Sequence, residues 1–131
     1  MANNEPKQVL VWRADLRNSN GQKVRTGKIA AQLAHASLGA ILNYNLCDYT
    51  KLPTPVRQWL EGRFTKICVS VDSEHELLEI YNKAIQTGIN VKLIKDAGLT
   101  EFNGVPTLTC LCLGPDYPSV IDPITSHLRL L

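Results

Sequence analysis

The chain of 131 residues contains no long hydrophobic run, and nothing in it approaches the roughly 18–20 apolar residues that cross a bilayer. Its first residues, MANNEPKQ, lack the basic, apolar and small-residue order of a secretory leader. Both absences exclude membrane-inserted classes, and a cytoplasmic location is expected. Excess charge is also scarce: 14 Lys and Arg face 12 Asp and Glu, a net +2. Total charge therefore does not mark a nucleic-acid binder. No internal repeat, low-complexity tract or linker divides the chain. Its length suits one domain with a single core, and 44% apolar and 20% charged residues are ordinary for a globular protein.

Several chemical signatures are missing too. Gly27-Lys28 opens an apolar stretch as a phosphate loop does, but that pattern needs Gly six residues before the lysine and Ser or Thr after it. Gln22 and Ile29 stand there instead, which excludes triphosphate binding of that kind. G-x-S-x-G is absent, so no nucleophile elbow is present. The four cysteines, Cys47, Cys68, Cys110 and Cys112, make no zinc spacing with histidines or with each other. No metal and no cofactor are expected. Cys110 and Cys112 alternate on an apolar stretch, share one strand face and read as buried, reduced thiols.

What is present is an alternation of strand and helix signals. Residues 1–6 read as a disordered start, and 7–131 as the folded domain. Strands are expected at 7–15, 65–72, 90–95 and 107–113, where β-branched and apolar residues concentrate. A first helix spans about 26–43, with Ile29, Leu33, Ala36, Ala40 and Ile41 as its core stripe. A loop follows at 45–52. A short helix then starts with Thr54 as N-cap and Pro55 at its first position, and ends at Gly62. Ser73 and Glu76 form a capping-box pair ahead of a helix that buries Leu77, Ile80, Tyr81, Ala84 and Ile85 and closes at Gly88. Gly114-Pro115 is expected to break the fourth strand. The last helix spans 119–127, kinked or restarted at Pro123. This order predicts an α/β fold, a three-layer α/β/α sandwich around a four-stranded mixed sheet.

Charge and function concentrate in one region. Up to Cys47 there are six basic residues against two acidic ones, and five of the six lie between Arg13 and Lys28. Such a patch can hold phosphates although the whole chain is nearly neutral. On the helix, Lys28, Gln32 and His35 recur at i, i+4 and i+7 and so share a narrow face. A histidine on an alanine-rich helix is more often structural, so His35 is the weaker member of the set. Asp96 ends a strand before Ala97-Gly98. A carboxylate there can orient a water or close an Asx-turn, and the local sequence fits both. Thr100, Thr107 and Thr109 can supply hydroxyls.

Three blocks, GKIAAQLAHASLGA, KDAGLTEF and LGPDYPSVIDPITSHLRLL, occur in that order. Together they resemble the type 2 peptidyl-tRNA hydrolase family over nearly the whole chain. The resemblance implies a mixed sheet flanked by helices, a homodimer, and hydrolysis of the ester that joins a peptide or an N-blocked amino acid to the tRNA 3′ end. It implies that Lys28, Gln32, Asp96, Thr100 and Thr109 line the active site, and His35 matches a histidine of the helical motif. Arg13, Arg17 and Arg25 are expected to hold the acceptor stem through its phosphates, and Thr107 is a further substrate-binding candidate. Thr26 stands where many members carry a basic residue, with Arg25 one step earlier, and Leu99 takes a position that is often arginine. A catalytically weak RNA- or protein-binding module on the same fold is the alternative.

Overall fold

A computed structural model, which describes residues 4–131, shows how the alternating strands and helices assemble. In chain order they are β1 Lys7–Arg13, α1 Thr26–Leu42, α2 Thr54–Glu61, β2 Lys66–Val71, α3 Glu74–Thr87, β3 Val91–Asp96, β4 Thr107–Asp116, α4 Pro118–Thr125 and β5 Arg129–Leu130. They form one mixed sheet in the order β3-β4-β1-β2-β5. β1 and β2 run parallel, joined by a helical crossover, and the other neighbouring pairs are antiparallel.

Period-two alternation sorts each central strand between two cores. Val9, Val11, Val69, Val71, Leu111 and Leu113 face Leu77, Ile80 and Ala84 of α3 and Ile121 and Ile124 of α4. Their neighbours Leu10, Trp12, Cys110 and Cys112 point the other way, onto Leu33, Ala36 and Ala40 of α1. Ala36 and Ala40 are fully buried, and their small side chains let α1 lie close over β4, β3 and β1. α2 joins that layer by packing Val56 and Trp59 against Ile41 and Leu52. The result is the expected α/β/α sandwich.

The differences from expectation have local causes. The sheet has five strands, not four, because Arg129–Leu130 pairs with Ser70 and Val69 of β2; two residues carry too little pattern to read as a strand. β4 does not break at Gly114-Pro115 but continues to Asp116, with Lys7 paired to Asp116. Thr54 is the first helical residue of α2 and caps nothing, since Pro53 takes the N-cap position. Ser73 Oγ does accept from Glu76 N, but Glu76 Oε2 accepts from Asp72 N, not from Ser73. Ile85 is exposed and Tyr81 half-buried, so α3 buries a narrower stripe than expected. α4 runs through Pro123 from Pro118 to Thr125. A short 3-10 turn, Tyr49–Lys51, lies in the expected loop. Of the start expected to be disordered, residues 1–3 lie outside the described residues; Asn4 is exposed and Pro6 is buried.

Burial sets the thiol chemistry. It pushes the Cys110 thiol up to about 12, well beyond the smaller opposing pull of its contact with Thr109. Burial also raises Cys112 and, less completely, Cys68, which is half-buried. Only thiolate reacts with alkylating agents. With iodoacetamide at neutral pH, the folded protein should label rapidly at exposed Cys47, slowly at Cys68, and at Cys110 and Cys112 only after denaturant is added. Peptide mass mapping reads this, and rapid labelling of Cys110 in native buffer would contradict the packing.

Candidate active site

α1 carries a third face beside its core stripe and its solvent side. Lys28 and Gln32 are one turn apart on it and point over the end of β3. Lys28 Nζ donates to Asp96 Oδ1 at 3.0 Å and to Thr100 Oγ1 at 3.2 Å. Gln32 Nε2 donates to the same Asp96 oxygen at 3.3 Å. Behind them, on β4, Thr109 Oγ1 donates to Gln32 Oε1 at 2.6 Å. A continuous chain of hydrogen bonds thus runs from the buried middle of the sheet to solvent.

The other Asp96 oxygen, Oδ2, accepts from Gly98 N at 2.9 Å. Asp96 therefore closes an Asx-turn and joins the Lys28 cluster at once, so the two readings of the sequence do not compete. Gly98 makes this possible. Its φ is +82°, and a Cβ there would sit 2.1 Å from the Val105 carbonyl oxygen, so only glycine fits. Its own carbonyl accepts from Gly104 N at 2.7 Å, and Phe102 is buried in the core. Both anchor the turn that presents Thr100.

Access divides the cluster. Gln32 and Thr109 are buried, so they act by holding other groups in place. Lys28 and Asp96 keep 17% and 14% of their side-chain surface open, and Thr100 is exposed. Burial pushes the Asp96 carboxyl up. The Lys28 ammonium, the Gly98 N–H and the Gln32 amide together outweigh that, and its pKa lies below the ordinary 3.8. Asp96 is thus an anion throughout the neutral range. It also offsets the placing of a lysine in the first turn of a helix, where the macrodipole favours negative charge.

The remaining candidates are not brought to this cluster. His35 lies two turns along α1, exposed and outside the hydrogen-bond network. Thr107 turns its hydroxyl to the Val105 carbonyl. Arg13 is held by both Asp15 oxygens and by the Leu108 carbonyl. Arg17 folds onto the carbonyls of Ala14 and Leu16. Arg25 binds Glu101. Sequence reasoning missed Glu101 and the Gly98 amide. Glu101 sat inside the quoted KDAGLTEF block, but no local pattern links it to an arginine 76 residues away. Among the described residues, no group of three or more His, Cys, Asp and Glu could hold a metal ion, and no helix is long and apolar enough to cross a membrane.

The network makes two stability predictions. A carboxyl whose pKa is lowered on folding stabilises above its unfolded value, near 3.8, and that gain is lost as pH falls through the folded value. Asp96→Asn should therefore melt below the wild type at neutral pH, by about 1–2 kcal/mol, with the gap closing towards pH 3. Thr109→Val leaves the buried Gln32 carbonyl without its donor and should cost about 1–3 kcal/mol. Thermal melts across pH read both, and a gap that widens in acid would contradict the Asp96 assignment.

Comparison with known proteins shows the family to which the chain belongs. The family model described as Peptidyl-tRNA hydrolase PTH2 matches residues 6–131. The peptidyl-tRNA hydrolase of Methanothermobacter thermautotrophicus is 44% identical over 126 residues, covering 95% of this chain and 99% of that protein. That of Methanopyrus kandleri is 41% identical over 125 residues, covering 95% and 97%. A solved structure of an Agrobacterium tumefaciens protein of unknown function shares the fold at a TM-score of 0.57 and 12% identity, covering 97% of this chain and 98% of that one. A match over nearly the whole chain, with relatives above 40% identity, establishes that this chain belongs to the peptidyl-tRNA hydrolase PTH2 family.

Proposed function

We propose that this protein hydrolyses the ester between a peptide, or an N-blocked amino acid, and the 3′ end of tRNA, releasing the tRNA for reuse. The observation that carries the reading is the Lys28–Asp96–Thr100 contact at the end of β3, backed by Gln32 and Thr109. An ester is already activated, so its hydrolysis needs an oriented water and a stabilised oxyanion more than a covalent nucleophile. Ionised Asp96 accepts a hydrogen bond from the water and aims it at the ester carbonyl carbon. The Lys28 ammonium faces the oxyanion as the new C–O bond forms. Collapse breaks the bond to the ribose 3′ oxygen; one proton of the attacking water ends on that oxygen and the other is released to solvent as the new acid ionises. The products are a free carboxylate and a tRNA with a 3′-hydroxyl. Thr100 contacts the substrate beside Lys28, while Gln32 and Thr109 position Asp96. A binding module without catalysis is less well supported, because the relatives are named as hydrolases and the ionised Asp96 keeps open surface beside its lysine.

Release of N-acetyl-amino acid from N-acetyl-aminoacyl-tRNA tests this directly. Lys28→Ala and Asp96→Asn should each lower kcat/KM by about a hundredfold or more. Rates untouched by both changes would sink the site, and tRNA binding without any release by the wild type would favour the module. The active form of Asp96 is the anion, and its pKa is lowered, so this group keeps activity level through neutral pH and removes it only as pH falls below about 3.8.

The protein is further proposed to act in the cytoplasm as a homodimer that joins through the outer side of α1 and α2. An apolar cleft of about 590 Å³ there is lined by Leu33, Ala34, Leu38, Ile41, Trp59 and Leu60. Leu38 and Leu42 beside it are 61% and 60% exposed. Apolar surface gathered in this way marks an interface. Sedimentation equilibrium should give twice the monomer mass, and a Leu38→Asp, Leu42→Asp variant should give the monomer. A monomeric wild type at micromolar concentration would overturn the assembly.

A further inference from the structure

The five basic residues between Arg13 and Lys28 look alike in the sequence, but the fold divides them. Carboxylates neutralise three: Asp15 pairs with Arg13, Glu101 with Arg25 and Asp96 with Lys28. Arg17 and Lys23, whose backbones pair across a small loop, keep exposed charges with no carboxylate against them among the described residues. The phosphate-binding expectation therefore does not apply evenly across the patch.

Arg25 is the informative case. Its Nε donates to Glu101 Oε1 at 2.7 Å, and its Nη2 lies 2.6 Å from the same oxygen. The arginine side chain is 75% exposed but the carboxylate only 3%. The second oxygen of Glu101, Oε2, is buried and has no partner. Among the described residues the partner that compensates this buried charge is Arg25, and removing one member of such a pair leaves the other charge unpaired. The positions of the two residues give the pair its consequence. Arg25 takes the N-cap position of α1, three residues before Lys28, without capping it through its side chain. Glu101 follows Thr100 in the turn that Gly98 and Phe102 anchor. The pair thus joins the two backbone segments whose side chains make the Lys28–Thr100 hydrogen bond.

We propose that Arg25 and Glu101 are positioning residues for the ester hydrolysis: their ion pair clasps the Thr100 turn to the start of α1 and so sets Thr100 against Lys28. Phosphate contact in this patch then falls to Arg17 and Lys23, not to Arg25. The inference rests on the hydrolase reading above, and it separates two roles for Arg25 that that reading alone leaves joined. A phosphate ligand acts on affinity and on its salt dependence. A clasp acts on the geometry of the reacting groups, where a displacement of about 1 Å costs up to about a hundredfold in rate.

The test measures kcat and KM on N-acetyl-aminoacyl-tRNA, and tRNA affinity against salt, for Arg25→Ala, Arg25→Lys, Glu101→Gln and the Arg25→Ala, Glu101→Gln pair. Glu101→Gln keeps the shape but removes the charge that forms the ion pair with Arg25, and it buries no unpaired carboxylate, so it folds even if Arg25→Ala does not. The clasp predicts a fall in kcat of about ten- to a hundredfold for Arg25→Ala and for Glu101→Gln. KM and the salt slope should stay close to wild type. The double variant should be no slower than the slower single change, because both break one interaction, and Arg25→Lys should restore most of kcat. Arg17→Ala and Lys23→Ala should instead raise KM and reduce the salt slope by about 0.7–0.9 each. An Arg25→Ala that raises KM and flattens the salt slope with kcat intact would overturn the clasp, as would single effects that multiply. A wild type that releases nothing overturns the hydrolase reading and the clasp with it.

Discussion

The ion pair between Lys28 and Asp96 joins the first turn of α1 to the last residue of β3, 68 residues apart in the chain. Such a pair on a bare surface is worth little, and a fully buried one carries a desolvation cost that can cancel its attraction. This one lies between those limits. Its carboxylate accepts from a lysine, an amide and a backbone N–H, which satisfies the anion without sealing it from water. A group held this way stays ionised and fixed in direction, two conditions for orienting a reactant. The rest of the site depends on it. Gln32 is turned by its contact with Asp96, Thr109 by its contact with Gln32, and Thr100 by sharing the lysine.

The sheet supplies the precision. β4 is an interior strand, flanked by β1 and β3. From Cys110 to Leu113 its residues alternate between the α1 layer and the α3–α4 layer, and a register shift against β3 beside Thr109 lets Thr109 and Cys110 both face α1. Thr109 interrupts that apolar run with one hydroxyl, fully buried and spent on Gln32. Cys110 and Cys112 lie on the α1 side as small protonated thiols, with Ala36 and Ala40 opposite them. Small groups on both sides bring α1 near enough for a glutamine on the helix to reach a strand hydroxyl. The α3–α4 layer has larger side chains, including Leu77, Ile80, Ile121 and Ile124, and none of the site residues. One face of the sheet is thus built for close approach, the other for bulk burial.

Electrostatics follow the same division. The basic stretch before α1 is mostly internal wiring: its carboxylate partners lie at the end of β1, in the Thr100 turn and at the end of β3. Only Arg17 and Lys23 are left to act outward. A near-neutral chain can in this way offer local positive charge beside the proposed site without a large basic surface.

Much of this was legible in the sequence, and the limits are physical. Period-two and helical patterns revealed the four longer strands, the helices and the layer order, because burial on one face dictates them residue by residue. Lys28, Gln32, Asp96 and Thr100 stand in the motif blocks, and Thr109 joined them only through the family resemblance. Their spacing on a helix and at strand ends already made contact plausible. Patterns that depend on a few residues failed: the two-residue β5, the continuation of β4 past Gly114, and the N-cap of α2. Pairings failed wherever they join distant segments. Helical spacing grouped His35 with Lys28 and Gln32, but only packing decides which part of that face meets β3, and His35 lies beyond it. Charge counting treated Arg25 and Arg17 alike, and only the fold brought a buried glutamate to one of them. The sequence by itself determined most of the core stripes and which side chains can react, since both follow from side-chain chemistry and local period. The tertiary structure decided which reactive groups meet, because hydrogen bonds and ion pairs act over about 3 Å and local patterns do not specify the distances between remote segments.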